Sequence, residues 1–277
     1  MMTMTERHAE LGDVQQTLFV PLSARAAETR RKHPAIRDPK AVEILDSVDV
    51  DAVYTANWGG FIMVTRTLIF DWWIREFLSQ HPAGTVIELG TGLNTRFERV
   101  DNGQCHWIDL DLPDTIEVRR RFFADSDRRQ MVAASVLDDD WLDLVAACPP
   151  PYFFVADGVL VYLDEEKITS ALARIATRFP GSRLAFDTYT RKMYDRQHAT
   201  AARRGMAARW AWWCDDPRSL EDLGLRVIDS RGVARPPAGL RGELPGRYRR
   251  LLALMGPLLG KSIVVTLFRA DDPGLRG

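Results

Sequence analysis

Apolar and polar positions along the chain follow two different periods. From Phe61 to Leu78 the apolar residues Ile62, Leu68, Ile69, Trp72, Trp73 and Phe77 recur at helical spacing, with Asp71 and Arg75 one turn apart. This predicts an amphipathic helix that ends before Pro82. Upstream, Pro34 and Pro39 break any long helix, and Ala41, Val42, Ile44 and Leu45 predict a short one after Pro39. From residue 85 short apolar runs take over: TVIEL (85–89), HWIDLDL (106–112), MVAA (131–134), YFFVA (152–156) and SRLAFD (182–187). Polar or amphipathic stretches at 113–125, 141–147 and 165–178 lie between them. Strands alternating with helices at this pace predict βαβ units with right-handed crossovers, hence a parallel sheet covered by helices on both faces. Two last runs, LRVID (225–229) and KSIVVTLF (261–268), are expected to pair at one edge of that sheet.

Residues 189–260 interrupt the pattern before the last strand. They hold Arg191, Lys192, Arg196, Arg203, Arg204 and Arg209 against a single nearby acid, Asp195, followed by Trp210, Trp212 and Trp213. Two readings stand: a cap over a site, or a solvated helix whose tryptophans pack down. The expected organisation is a helical segment at 1–80 that contributes to the cap and the site, a ligand-binding core at 81–188, a cap insert at 189–260, and a final strand and tail at 261–277.

Composition narrows the function. With 37 Lys plus Arg against 38 Asp plus Glu, the net charge is −1, which disfavours a general nucleic-acid binder. The 46% hydrophobic content argues against disorder. Cys105, Cys148 and Cys214 form no CxxC pair, so neither a disulfide framework nor a zinc site is expected. No signal-peptide stretch and no apolar run of membrane-spanning length is seen. The expectation is a soluble, cytoplasmic protein with no metal and no membrane or nucleic-acid partner.

Ligands of an open parallel sheet bind beyond the carboxyl ends of its strands. Here the first strand ends in Glu88-Leu89-Gly90-Thr91-Gly92, and glycines permit a tight turn and a close ligand. Asp111 ends the second strand about 20 residues beyond Gly90, the position from which a carboxylate accepts ribose hydroxyls. Thr95 stands where a dinucleotide fingerprint has its third glycine, which disfavours a nicotinamide-dependent oxidoreductase.

The longer words ELGTGLNTRFERV, WIDLDLPDTIEVRRRFF, ASVLDDDWLDLV and ADGVLVYLDEEKITSALARIATRFPGSRLAFD resemble the leucine carboxyl methyltransferase family. Within it they are similar to the bacterial branch associated with polyketide O-methylation. TLFVPLSARAAETRR, DPKAVEIL and the Met63–Asp71 segment with Arg66-Thr67 are similar to that branch as well, so the resemblance spans roughly residues 17–190. It implies an α/β fold of the class I methyltransferase type, Rossmann-like, with a mixed, mostly parallel seven-stranded sheet and a helical cap. It also implies S-adenosyl-L-methionine as cofactor. By position, Gly90 and Gly92 would face its methionine part, Asp111 the ribose, Ser135 and Val136 the adenine, and Asp157 the amino group or sulfonium, with Glu88 and Leu112 as further cofactor-binding residues. Arg66 would pair with the cofactor carboxylate, assisted by Arg25. The chain departs from the family at Asn94 and Ser135, both usually acidic.

The implied activity is O-methylation of a carboxylate on a small secondary metabolite such as a polyketide. In-line methyl transfer depends chiefly on alignment in a water-poor pocket. An acceptor carboxylate is already ionised at neutral pH, whereas a phenol benefits from a base. His198 is the candidate base, Tyr189 a second catalytic candidate, and Tyr189 and Tyr194 are candidate pocket residues. Arg204 and Arg209 are expected to hold an anionic acceptor, with Trp210 and Trp213 stacking on a flat one. Alternatives remain open: a phenolic acceptor, the carboxyl terminus of a peptide or carrier protein, or a catalytically silent cofactor-binding module.

Overall fold

The computed structural model describes residues 18–48, 60–204, 209–259 and 262–271; the side chains at 204 and 257–259 lie outside the description. Three helices come first: α1 (Phe19–Thr29), α2 (Pro39–Ser47) and α3 (Gly60–Gln80). The α/β core follows as β1 (Thr85–Leu89), α4 (Arg96–Val100), β2 (His106–Asp111), α5 (Pro113–Arg119), β3 (Arg129–Ala133), α6 (Asp140–Ala146), β4 (Tyr152–Ala156), α7 (Glu165–Arg178) and β5 (Arg183–Tyr189). The chain ends with α8 (Arg191–Arg204), β6 (Leu225–Gly232), α9 (Ala238–Glu243), α10 (Gly246–Leu259) and β7 (Ile263–Ala270).

The seven strands form one sheet in the order β3-β2-β1-β4-β5-β7-β6. The first five pair in parallel, and β7 runs antiparallel between β5 and β6. The two late apolar runs therefore do pair at one edge, with the later run inside the earlier one. Alternate residues serve opposite faces of the sheet. Val86, Trp107, Phe153, Ala185 and Val265 pack under α3 and α10, whereas Ile87, Ile108, Phe154, Leu184 and Phe268 pack under α6 and α7. Sequential order reverses between β1 and β4, and their register aligns Leu89 with both Leu110 and Ala156. The carboxyl ends of β2, β1 and β4 thus open on one crevice.

Two sequence expectations need correction. Helix α3 is not amphipathic: Val64, Arg66, Leu68, Phe70, Asp71, Trp73 and Phe77 are all buried, because α3 lies between the sheet on one side and α1 and α9 on the other. Asp71 pairs with Arg96 and Arg99 across the fold rather than with Arg75 one turn away. The short helix after Pro39 is present as α2. Proline occupies its first turn, and the Asp38 side chain accepts the Ala41 N–H at 2.9 Å as N-cap.

The segment at 189–260 divides. Helix α8 and the chain around Trp210 lie over the carboxyl ends of the strands, and β6 then enters the sheet.

Candidate functional site

A cavity of about 450 Å³ lies beyond the ends of β1, β2 and β4 and is lined on one side by α8. At one end it is framed by Leu110, Leu112, Ala134, Val136 and Leu163, with Asp111 and Ser135 among them. Asp111 is held by two backbone donors: the Gly92 N–H to Oδ2 and the Leu112 N–H to Oδ1, each at 2.7 Å. Burial pushes the Asp111 carboxyl above its ordinary pKa, and these two N–H groups act against the shift. Gly90 adopts φ +63°, and a Cβ there would sit 2.5 Å from a Val159 methyl, so only glycine fits the turn. The turn is supported from behind by buried Arg119, which donates to the Gly92 and Asn94 carbonyls at 2.8 Å and pairs with Asp109 at 3.0 Å.

Arg66 enters the cavity from α3. Its Nε lies 2.6 Å from Asp157 Oδ1, and its Nη1 donates to Asp187 Oδ2 at 2.9 Å and to the Tyr189 hydroxyl at 2.6 Å. Asp187 also accepts the Gly158 N–H at 2.8 Å and the Tyr189 O–H. Gly158, at φ +76°, lets Arg66 Nη2 approach: a Cβ there would lie 3.0 Å from it. Burial raises the Tyr189 phenol well above its ordinary pKa, so its proton stays in place.

Beneath this lies a buried network of charges. Arg96, at the start of α4, binds Asp71 at 2.9 Å, Asp157 at 2.7 Å, and Glu88 in close contact. Arg99 continues it to Asp71 and Asp38, and Arg25 joins at Asp38 at 2.8 Å. Burial opposes ionisation of Asp157, but the Arg66 and Arg96 guanidiniums outweigh it and hold the carboxyl below the usual range. Glu88 differs, since burial pushes it up to about 7 despite Arg96. Asn94 fits this surrounding: its Nδ2 donates to Glu88 Oε1 at 2.8 Å, where an aspartate would repel.

Of the residues singled out in the sequence, Arg66, Gly90, Asp111, Leu112, Ser135, Val136, Asp157, Tyr189 and Trp210 meet at the cavity. Gly92 stands one step behind it through Asp111. Glu88 and Arg25 sit in the charge network, outside the lining. His198 is not on the lining; its Nε2 lies 2.8 Å from the Trp210 carbonyl oxygen and its ring lies against Tyr194. Arg209 is exposed away from the lining, and the Arg204 side chain lies outside the described residues. The three tryptophans separate: Trp210 lines the cavity against Tyr189, Trp212 is buried on the sheet side, and Trp213 is exposed beside Arg191 and Tyr194.

Sequence reasoning missed Asp187, Gly158 and the network arginines Arg96 and Arg99. It also missed the cavity face of α8, with Met193 and Thr200, and named Arg196 among the cap cations without singling it out. The α8 face had a usable signal, since these positions recur at helical spacing directly after β5.

The family model described as leucine carboxyl methyltransferase matches residues 19–176. The chain is similar to tetracenomycin polyketide synthesis O-methyltransferase TcmP of Streptomyces glaucescens, with 34% identity covering 82% of this chain and 86% of that one. It is also similar to the S-adenosyl-L-methionine-dependent methyltransferase dpfgK of Gibberella zeae, with 25% identity over 79% and 81% of the two chains. Among solved structures, a duf574 family protein from Streptomyces avermitilis shares the fold. Its TM-score is 0.53 at 15% identity, covering 90% of this chain and 97% of that one.

Proposed function

Because the chain belongs to the leucine carboxyl methyltransferase family, we propose that it is an S-adenosylmethionine-dependent O-methyltransferase acting on the carboxylate of a small secondary metabolite such as a polyketide. The donor set of the cavity fits the cofactor. Each oxygen of Asp111 accepts one backbone N–H and keeps a lone pair for one of two neighbouring ribose hydroxyls. Leu110, Leu112, Ala134 and Val136 offer an apolar slot for the base beside Ser135. Arg66 and Asp157 together match a tail that carries both a carboxylate and an ammonium. When bound, the cofactor supplies an electrophilic methyl group on a sulfonium.

The observation that carries the choice of acceptor is that both carboxylates on the described lining, and Arg66 beside them, already have partners. Asp157 is bound to Arg66 and Arg96, Asp111 to two backbone amides, and Arg66 to Asp157 and Asp187. The Tyr189 proton is given to Asp187. Both carboxylates of the described lining are engaged and no histidine lies on it, so the site suits a nucleophile that arrives ionised. A carboxylate does so at neutral pH, and a phenol does not. What the chain then contributes is orientation and water exclusion: the Gly90 turn and Asp111 fix one partner, and the wall around Trp210 and α8 fixes the other.

The reading places the chain in the cytoplasm, where its three free thiols at Cys105, Cys148 and Cys214 would stay reduced. Among the described residues no helix is long and apolar enough to cross a membrane.

Calorimetry with S-adenosylhomocysteine and with NAD tests the cofactor, and saturable binding of NAD alone would reject it. Mild alkaline hydrolysis tests the linkage: the methylated product should release methanol as an ester does, and resistance would indicate an aryl ether.

A further inference from the structure

Helix α8 turns one stripe toward the cavity, formed by Met193, Arg196, Gln197, Thr200 and Ala201 at spacings of three, four, seven and eight residues. Met63, Val161, Tyr162 and Trp210 line the cavity as well, and Met193 of the stripe packs in one cluster with the last three. Aromatic faces and methionine thioethers make this end apolar, polarisable and suited to a flat hydrocarbon body.

Two cations line the cavity among the described residues, and they are held differently. Arg66 is bound by Asp157, Asp187 and Tyr189. Arg196 is exposed at the rim and forms no hydrogen bond or ion pair with any described residue. A guanidinium left without a protein acceptor beside an apolar pocket has its planar donor fork available for a carboxylate.

We propose that Arg196 recognises the carboxylate of the acceptor, and that the acceptor is a planar, apolar acid lying against Trp210 and the α8 stripe. The inference rests on the methyl-transfer reading above and adds a residue that tells substrate from product. The acceptor oxygen forms its bond to the methyl carbon while the bonding pair of the broken carbon–sulfur bond stays on sulfur. The acid thereby becomes an uncharged ester and the sulfonium a neutral thioether. Arg196 loses its ionic partner at that step, so the ester is held less tightly than the acid that entered. Arg196 contacts substrate and is thus a binding residue, separate from the cofactor contacts of Arg66 and Asp111.

The test uses 2-naphthoate, methyl 2-naphthoate and 2-naphthamide as probes, titrated calorimetrically into the full chain with and without saturating S-adenosylhomocysteine. The wild-type chain should bind the naphthoate roughly tenfold more tightly than the ester or the amide. Arg196→Gln should remove that preference by weakening naphthoate alone, and Arg196→Lys should keep part of it, because lysine supplies the charge without the fork. Affinity for S-adenosylhomocysteine should be the same in all three chains, which also shows that the variants are folded. Absence of naphthoate binding, equal binding of acid and ester, or a preference that survives Arg196→Gln each overturns the proposal. Failure of the wild-type chain to bind S-adenosylhomocysteine would instead overturn the cofactor reading. The probe titrations without it would still decide the role of Arg196.

Discussion

On the sheet side of the cavity, Arg66, Asp157, Asp187 and the Arg96 network beneath them are buried and matched charge to charge; on the α8 side, Arg196 is exposed and unmatched. An ion removed from water is costly to leave unpaired, so the sheet side had to close its charges among themselves. That closure fixes the geometry for a ligand whose shape does not vary. A hydrated arginine on the cap carries no such penalty and can stay open for whichever acid arrives. One side of the cavity is therefore built for rigidity and the other for selection, and substitutions should separate the two properties.

The largest effect is expected at Arg96, the centre of the matched side. Arg96→Met leaves Asp71, Glu88 and Asp157 buried without their shared cation. Removing one partner of a buried ion pair destabilises by about 3–5 kcal/mol. Urea denaturation should show a loss of that order; a loss no larger than that of an exposed arginine such as Arg203 would mean that the two sides do not differ in kind.

Next in size is Asp111→Ala, which acts on binding rather than folding. The Gly92 and Leu112 N–H groups lose their acceptor, and the two ribose hydroxyls lose theirs. S-adenosylhomocysteine should bind more weakly by roughly 1–3 kcal/mol. Calorimetry on the folded variant checks this, and an unchanged dissociation constant would remove Asp111 from the site.

Much of the matched side was legible in the sequence where the signal was local. The runs at 85–89 and 152–156 are β1 and β4 with the same boundaries, and the strand-end positions of Gly90 and Asp111 follow from them. Asp109, one pleat earlier on β2, was equally acidic, yet the structure buries it among Arg119, Arg129, Thr91 and the Trp107 indole. Position along the strand explains the difference: the two acids share a face by alternation, and only Asp111, the last residue of β2, reaches the rim. The pairs that hold Arg66 and Arg96 were not legible. Arg66 and Asp187 lie 121 residues apart and Arg96 and Asp157 61 apart, so nothing local links them. The charge excess of α8 was visible, but which of its arginines faces the cavity depends on how the helix seats on the sheet. For that reason the sequence pointed to Arg204 and Arg209, whereas among the described residues Arg196 is the arginine of α8 on the lining.

Glu88 gives a pH-dependent way to sharpen the comparison. Burial raises its folded pKa to about 7 from an ordinary 4.5. A group raised in the folded state contributes stability that is fully present below its unfolded pKa and is lost as pH rises through the folded one. Wild-type stability relative to Glu88→Gln should therefore fall between pH 5 and pH 8, by on the order of 2 kcal/mol. Urea midpoints of both chains at the two pH values measure it. A difference that does not change with pH would mean that Arg96 keeps Glu88 ionised throughout and that even this acid belongs to the fully matched set.

The smallest effect is expected at Trp213, on the outer surface of the cap. Its indole lies 4.3 Å from the Arg191 guanidinium and 5.0 Å from the Tyr194 ring, and it is 37% exposed. Cation–π and edge contacts at such a site contribute about 0.5–1 kcal/mol each in stability, mostly by steadying α8. Trp213→Ala should lower the urea midpoint only slightly and leave S-adenosylhomocysteine binding unchanged, because nothing on the matched side touches Trp213. Trp210→Ala is the contrasting variant: it opens the cavity wall beside Tyr189 and should weaken binding of 2-naphthoate. If the two alanine variants weakened naphthoate equally, the cap would act as one unit whose outer face matters as much as its inner one. A result confined to Trp210 would locate selection in the stripe of α8 and the indole that lines the cavity with it.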